Sequence, residues 1–266
     1  MTSTNNPRQG APPDGDSGTR GPGAHRPVEL GEDGVWQDRT RVFLQPIAPP
    51  SILGLFGFAG ATMMVGAWQA GWYGGVTTPL ILFPFALAFG GLAQFLAGMW
   101  SYKARDGLAT AMHGMWGAFW LAFGLLFLLV DLGAIPAVIA PALGTGNPGF
   151  AFWFVVLALI TGFGAIAALA QNLGTFTTLA LLATGSGFTA AGFFAASMWP
   201  LRVGGWLFVA AACAAVYTAA AMMIEGTFGR TILPLGALRA EANIPGRRAT
   251  IPLQYSHGQP GVRAGQ

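Results

Sequence analysis

The sequence is poor in charge. Of 266 residues only 9% are Asp, Glu, Lys or Arg, against about 25% in an ordinary soluble domain. Between Ser51 and Ile224 the charged side chains are Lys103, Arg105, Asp106, Asp131 and Arg202 alone. Five charges cannot clothe the surface of a soluble domain of that length, so the chain reads as an integral membrane protein. Period-two alternation of apolar and polar residues is also missing. That excludes a transmembrane barrel and leaves helices as the spanning element. Cys213 is the single cysteine, so no disulfide can form within one chain and no Cys-based metal spacing exists; it is expected to be a small buried residue. The start lacks a basic segment followed by an apolar one, so no secretory signal is read. The apolar region contains one histidine, His113, and no acid–base pair. A catalytic constellation is therefore not expected, nor is a cofactor or metal site.

What remains is 53% apolar and rich in glycine, with 40 Gly. Residues 1–48 are rich in Pro, Gly, Asp, Ser and Arg and read as a disordered tail; within it Val42-Phe43-Leu44 is short enough to lie at a membrane interface. Residues 49–236 read as a six-helix transmembrane transport domain, and residues 237–266 as a second polar tail. Spans are expected near 52–72, 78–100, 108–130, 150–170, 175–198 and 203–224, each about the length needed to cross roughly 30 Å of hydrocarbon. Turns are expected at Gln171-Asn172-Leu173-Gly174 and at Trp199-Pro200-Leu201-Arg202, and a longer loop over 131–149. The net charge of +3 comes from tail arginines, which read as topology determinants rather than a nucleic-acid surface. With six spans, Arg39, Arg41, Lys103, Arg105, Arg230 and Arg239 share one side and Arg202 takes the other. Both termini are then cytoplasmic. Trp72, Tyr73, Trp100, Tyr102, Trp199 and Trp206 fit the two aromatic belts.

The first span carries Leu53-Gly54-Leu55-Phe56-Gly57-Phe58-Ala59-Gly60. Glycines at this spacing make a narrow stripe along which another backbone can approach. Beside it, Phe58 can face lipid, a neighbouring helix or a path through the protein. Polar groups inside the spans are few. His113 is an ionisable group in a span, though near its end beside Arg105 and Asp106, where water can reach it. Gln94 suits a helix–helix hydrogen bond or a solute path. Tyr217 needs a partner if buried. Thr62, Thr110, Thr161, Thr184, Ser186 and Thr189 can bond back to their own helices or line a pore. Trp116 and Trp120 lie four apart on one helix face, for which lipid-facing packing is the ordinary expectation. No cation lies mid-membrane, so an acid crossing such a chain goes protonated or meets hydroxyl, amide and indole donors.

Four blocks in order resemble the acetate uptake transporter family: Leu53-Gly54-Leu55-Phe56-Gly57-Phe58, then Phe89-Gly90-Gly91-Leu92-Ala93-Gln94-Phe95-Leu96-Ala97-Gly98-Met99-Trp100, then Gly117-Ala118-Phe119-Trp120-Leu121, then Glu225-Gly226-Thr227-Phe228-Gly229-Arg230-Thr231-Ile232-Leu233-Pro234-Leu235-Gly236. The resemblance covers about 50–237. It implies an all-α protomer of six transmembrane helices with its own pore, assembled as a homohexamer in the inner membrane and surrounded by lipid. It implies transport of acetate and other small carboxylates (succinate, propionate, lactate), as a channel or a proton-coupled symporter. It also implies a constriction, whose Phe falls on Phe58 and whose Leu falls on Leu182. The family's Tyr position holds Trp116, and its Asn-Pro-Ala-Pro run is replaced by Pro49-Pro50-Ser51-Ile52. Gln94, Tyr217, Thr184, His113 and Ser51 are the further candidates for the substrate path. Two rival readings stay open from the residues alone: a channel for small neutral solutes such as water, ammonia or protonated acids, and a structural membrane protein without flux.

Overall fold

The computed structural model describes residues 47–137 and 140–236. The two expected tails, apart from residues 47–48, and the Val42-Phe43-Leu44 stretch lie outside the described residues. All regular elements among the described residues are helical. Six helices are long and apolar enough to cross a membrane: α1 Pro50–Gln69, α2 Thr78–Ala104, α3 Gly107–Asp131, α4 Pro148–Ala168, α5 Leu173–Ala195 and α6 Met198–Phe228. The chain is a multi-pass membrane protein. An even number of crossings returns the chain to the side from which it started.

The ends of the helices follow local chemistry. Pro50 opens α1, where its missing N–H costs nothing. Asp106 accepts from Ala109 N at 2.9 Å to cap α3, Asn147 from Phe150 N at 3.0 Å to cap α4, and Asn172 from Thr175 N at 2.8 Å to cap α5. The turn between α5 and α6 differs from the expected one. It falls at Ala196, which takes a left-handed conformation at φ 50°. Trp199 and Pro200 instead enter the first turn of α6, a position that tolerates proline because its N–H would be unpaired anyway. α1 stops at Gln69, three residues short of the expected limit, because Gly71 leaves the helical region at φ 86°.

In chain order each helix packs on the next, and α6 returns to α1, closing a ring. α1 also touches α3, and the α3–α4 seam is the sparsest in the ring. α2 carries Pro84, and from Ala86 to Ala93 it widens into a π-helix. Proline cannot donate to the preceding turn, and π-segments inside helices relieve such interruptions. The Phe89 carbonyl of this segment lies against Gly57, where an added Cβ would stand 2.5 Å from the oxygen. Gly57 and Gly60 of the α1 stripe are thus approached by α2, while Gly54 faces His113 of α3.

The outer wall is apolar: Phe85, Leu92 and Met99 of α2 and Phe152, Leu159 and Phe163 of α4 are all exposed on it. All six expected belt aromatics are exposed as well. Cys213 is also exposed, contrary to the expectation of a buried residue. α6 buries Ala211, Ala212 and Ala215 instead, placing residue 213 on the outward face of the turn.

Candidate pore constriction and aromatic cavity

α1, α3 and α5 run in the same direction round the ring. Phe58 stands eight residues beyond Pro50, Trp116 nine beyond Gly107 and Leu182 nine beyond Leu173. At 1.5 Å per residue, all three lie about 12–14 Å along their helices, close to the middle of a roughly 30 Å span. All three are buried and share one apolar cluster. The Phe58 and Trp116 rings meet edge to face, with centroids 6.1 Å apart and planes at 72°, the arrangement that ring quadrupoles favour. The Trp116 indole N–H donates to Thr161 Oγ1 of α4 at 2.9 Å. Trp116 therefore touches α1 with its ring and α4 with its polar edge.

Trp116 begins an inward aromatic ladder on α3. Trp116 and Phe119 centroids lie 5.3 Å apart, and Phe119 reaches Phe154 of α4 at 5.5 Å. Phe150 of α4 in turn meets Phe193 of α5 at 5.1 Å. These rings enclose a cavity of about 30 Å³, lined from five of the six helices and by Pro141 and Leu143 of the α3–α4 loop. A water needs at least 10–15 Å³ of such space, so the cavity has room for about two water-sized groups. Trp116 and Trp120 both line it and are 2% and 3% exposed. The pair faces the interior, which corrects the lipid-facing expectation: the same face of α3 also carries Phe119 and Phe123, and α1, α2 and α4 cover it.

The cavity is almost wholly apolar, and its few polar groups sort into two kinds. Trp68 Nε1 donates to Gly75 O at 2.9 Å. Gln69 Nε2 donates to Thr189 Oγ1 and to Leu201 O, each at 2.8 Å, tying α1 to α5 and α6. With the Trp116–Thr161 bond, these donors are engaged inside the protein. Thr62 Oγ1 and Trp120 Nε1 are buried with no hydrogen-bond partner among the described residues. Gln69 was not a candidate from sequence. Its signal was present, as an amide at the end of an apolar span, but its partners lie more than a hundred residues away.

The remaining candidates are dispersed. Gln94, beside Gly57, and His113 are buried, and Gln94 Oε1 and His113 Nδ1 have no partner among the described residues. His113 is not wet, as its neighbours in sequence suggest. Its ring lies on Gly54, where an added Cβ would stand 2.5 Å from Nδ1. Tyr217 faces outward, and its hydroxyl donates to Pro234 O at 2.8 Å, anchoring the segment after α6. Leu235 O and Gly236 O of that segment accept from the first N–H groups of α5. Thr184 is exposed and bonds back to Ala180 O at 2.8 Å. Ser51 is half-buried in the first turn of α1. Tyr217 and Thr184 are thus not brought to the ring interior with Phe58, Trp116 and Leu182.

Residues 37–238 match the GPR1/FUN34/yaaH family, and the chain belongs to it. The Succinate-acetate/proton symporter SatP of Escherichia coli strain K12 is 27% identical over 190 residues, covering 71% of this chain and 96% of that protein. Ammonia transport outward protein 2 of Saccharomyces cerevisiae is 33% identical over 81 residues, covering 30% of this chain and 28% of that one. Among solved structures, the bacterial acetate channel SatP superposes with a TM-score of 0.64 at 24% identity, covering 72% of this chain and all of that one; the two share the fold. These relatives are transporters and channels rather than enzymes, in line with the family read from the four sequence blocks.

Proposed function

We propose that this member of the GPR1/FUN34/yaaH family carries acetate across a membrane through the centre of its helix ring, with Phe58, Trp116 and Leu182 as the constriction. The observation that carries the reading is the edge-to-face contact of Phe58 and Trp116 at mid-helix, level with Leu182 and continuous with the aromatic cavity. A narrow apolar collar passes small solutes and excludes hydrated large ones. Short monocarboxylates such as propionate and lactate suit the same path. The protein works in the inner membrane as a homohexamer with both termini cytoplasmic. The side that carries Lys103, Arg105 and Arg230 is the cytoplasmic one.

Uptake of labelled acetate by proteoliposomes tests the reading. Wild-type protein is expected to exceed empty liposomes, and equal rates would end the proposal. An imposed pH gradient separates the two mechanisms: accumulation above the external level marks a proton-coupled symporter, and equilibration marks a channel. A second reading, passage of neutral solutes, is favoured by the absence of any charged group among the described residues that line the cavity and by the ammonia-transport relative. It predicts vesicle alkalinisation by ammonia without acetate uptake.

A further inference from the structure

We propose that the aromatic cavity is a single-carboxyl site, holding one short monocarboxylate by Thr62 and Trp120 and rejecting dicarboxylates. The inference rests on the transport reading and names its substrate class. It follows from counting donors. Five polar side chains line the cavity: Thr62, Trp68, Gln69, Trp116 and Trp120. The indoles of Trp68 and Trp116 and the amide N–H groups of Gln69 already donate within the protein. That leaves the Thr62 hydroxyl and the Trp120 indole N–H, both buried and unpartnered among the described residues. Buried polar groups in native proteins are almost always hydrogen-bonded, and an exception calls for an explanation.

The two groups belong to adjoining walls. An added Cβ at Gly90 would meet both the Trp120 ring and Ala61, the neighbour of Thr62. Trp120 follows Trp116 by one helical turn, and Thr62 follows Phe58 by one turn, so both stand just beyond the constriction on the same side. Two donors suit the two oxygens of one carboxyl group. The opposite walls are rings, among them Phe119, Phe154 and Phe208, which suit a methyl or ethyl tail. A second carboxylate would meet only carbon, and burying it unpaired is strongly disfavoured. This chain should therefore differ from its succinate–acetate relative in the succinate half of that name.

The test combines transport with direct binding. In proteoliposomes at one fixed pH, excess propionate is expected to suppress labelled acetate uptake and excess succinate to leave it unchanged. Thr62→Val and Trp120→Phe are each expected to raise the KM for acetate roughly fivefold, as for loss of one hydrogen bond, and Thr62→Ser to restore it. In detergent at one fixed acetate concentration, acetate is expected to raise the Tm of wild-type protein and of Thr62→Ser more than that of Thr62→Val. Should Trp120→Phe not fold, the Thr62 pair carries the test alone. Succinate competing as well as propionate, or Thr62→Val keeping the wild-type KM and the acetate-induced Tm shift, would overturn the proposal. Acetate binding that is weakened in Thr62→Val, in a protein without flux, would sustain the site while removing the transport function.

Discussion

Two pairs of buried polar groups without a partner among the described residues lie near the Phe58–Trp116 contact, and their surroundings differ. Thr62 and Trp120 border a cavity. His113 is pressed against Gly54, and Gln94 sits where α2 meets Gly57. The chemistry at the two places is similar, since an orphaned buried donor or acceptor disfavours the folded state in either. The packing is opposite. A group beside space can be satisfied by something that enters; a ring pressed on glycine backbone, as His113 is, cannot, unless the helices part. The lesson is that an unpaired polar atom marks a ligand site only together with room for the ligand.

The sharpest way to break this contrast is Gly54→Leu. Even the first carbon of that side chain would stand within 2.6 Å of three atoms of the His113 ring. α1 and α3 would have to separate, and overpacking of this kind costs about 1–3 kcal/mol or more. The expected outcome is loss of monodisperse protein in size-exclusion chromatography, whereas Thr62→Val on the cavity side gives a normal profile. Equal behaviour of the two would erase the distinction between packed and open regions.

Phe58→Ala tests the collar between them. Removing a buried ring costs about 3–5 kcal/mol in a tightly packed core, so reduced yield is expected. The protein that survives should admit bulkier acids, with butyrate gaining on acetate in uptake. An unchanged ranking would take Phe58 out of the path. His113→Leu is the converse experiment. It removes an unpaired ring nitrogen and replaces it with a side chain that needs no partner, a change that is neutral or stabilising for a buried orphan. Thermal stability should rise slightly and acetate uptake should stay at the wild-type level. A collapse of uptake in well-folded His113→Leu would instead extend the path to the first turns of α3.

These features were unequally legible in the sequence. The six spans could be read because hydrocarbon demands unbroken apolar runs, and Gly54, Gly57 and Gly60 announced a close helix contact. Phe58, Leu182 and Trp116 came from resemblance, since nothing in their own neighbourhoods separates a pore-facing ring from a core one. Periodicity fails here for a physical reason: in a membrane helix both faces are apolar, one for lipid and one for the bundle. That is why Tyr217 and Thr184 could not be sorted from Thr62 and Thr189, nor the outward Cys213 from its buried alanine neighbours. Gln69 shows the complementary failure. Its amide is obvious in the sequence, but its role depends on the register of α1 against α5 and α6, which only the packed ring defines. The π-helical stretch after Pro84 belongs to the same class.

The smallest expected effect is also the most specific. Thr161→Val keeps the shape of the side chain and removes the oxygen that accepts from Trp116. Interhelical hydrogen bonds in membranes contribute about 0.6 kcal/mol on average and up to about 1.7, so the Tm should fall only slightly. The bond nevertheless crosses the α3–α4 seam, where the ring is thinnest. Without it, Trp116 Nε1 joins Thr62 Oγ1 and Trp120 Nε1 as a third donor beside the cavity with no partner among the described residues. The cavity would then offer one more group to a carboxyl, and discrimination against succinate should weaken, with Thr161→Ser restoring the wild-type ranking. If Thr161→Val and Thr161→Ser rank the acids identically, the hydroxyl merely fills space. The donor count that separates the open pair from the packed pair would then no longer decide which acids pass.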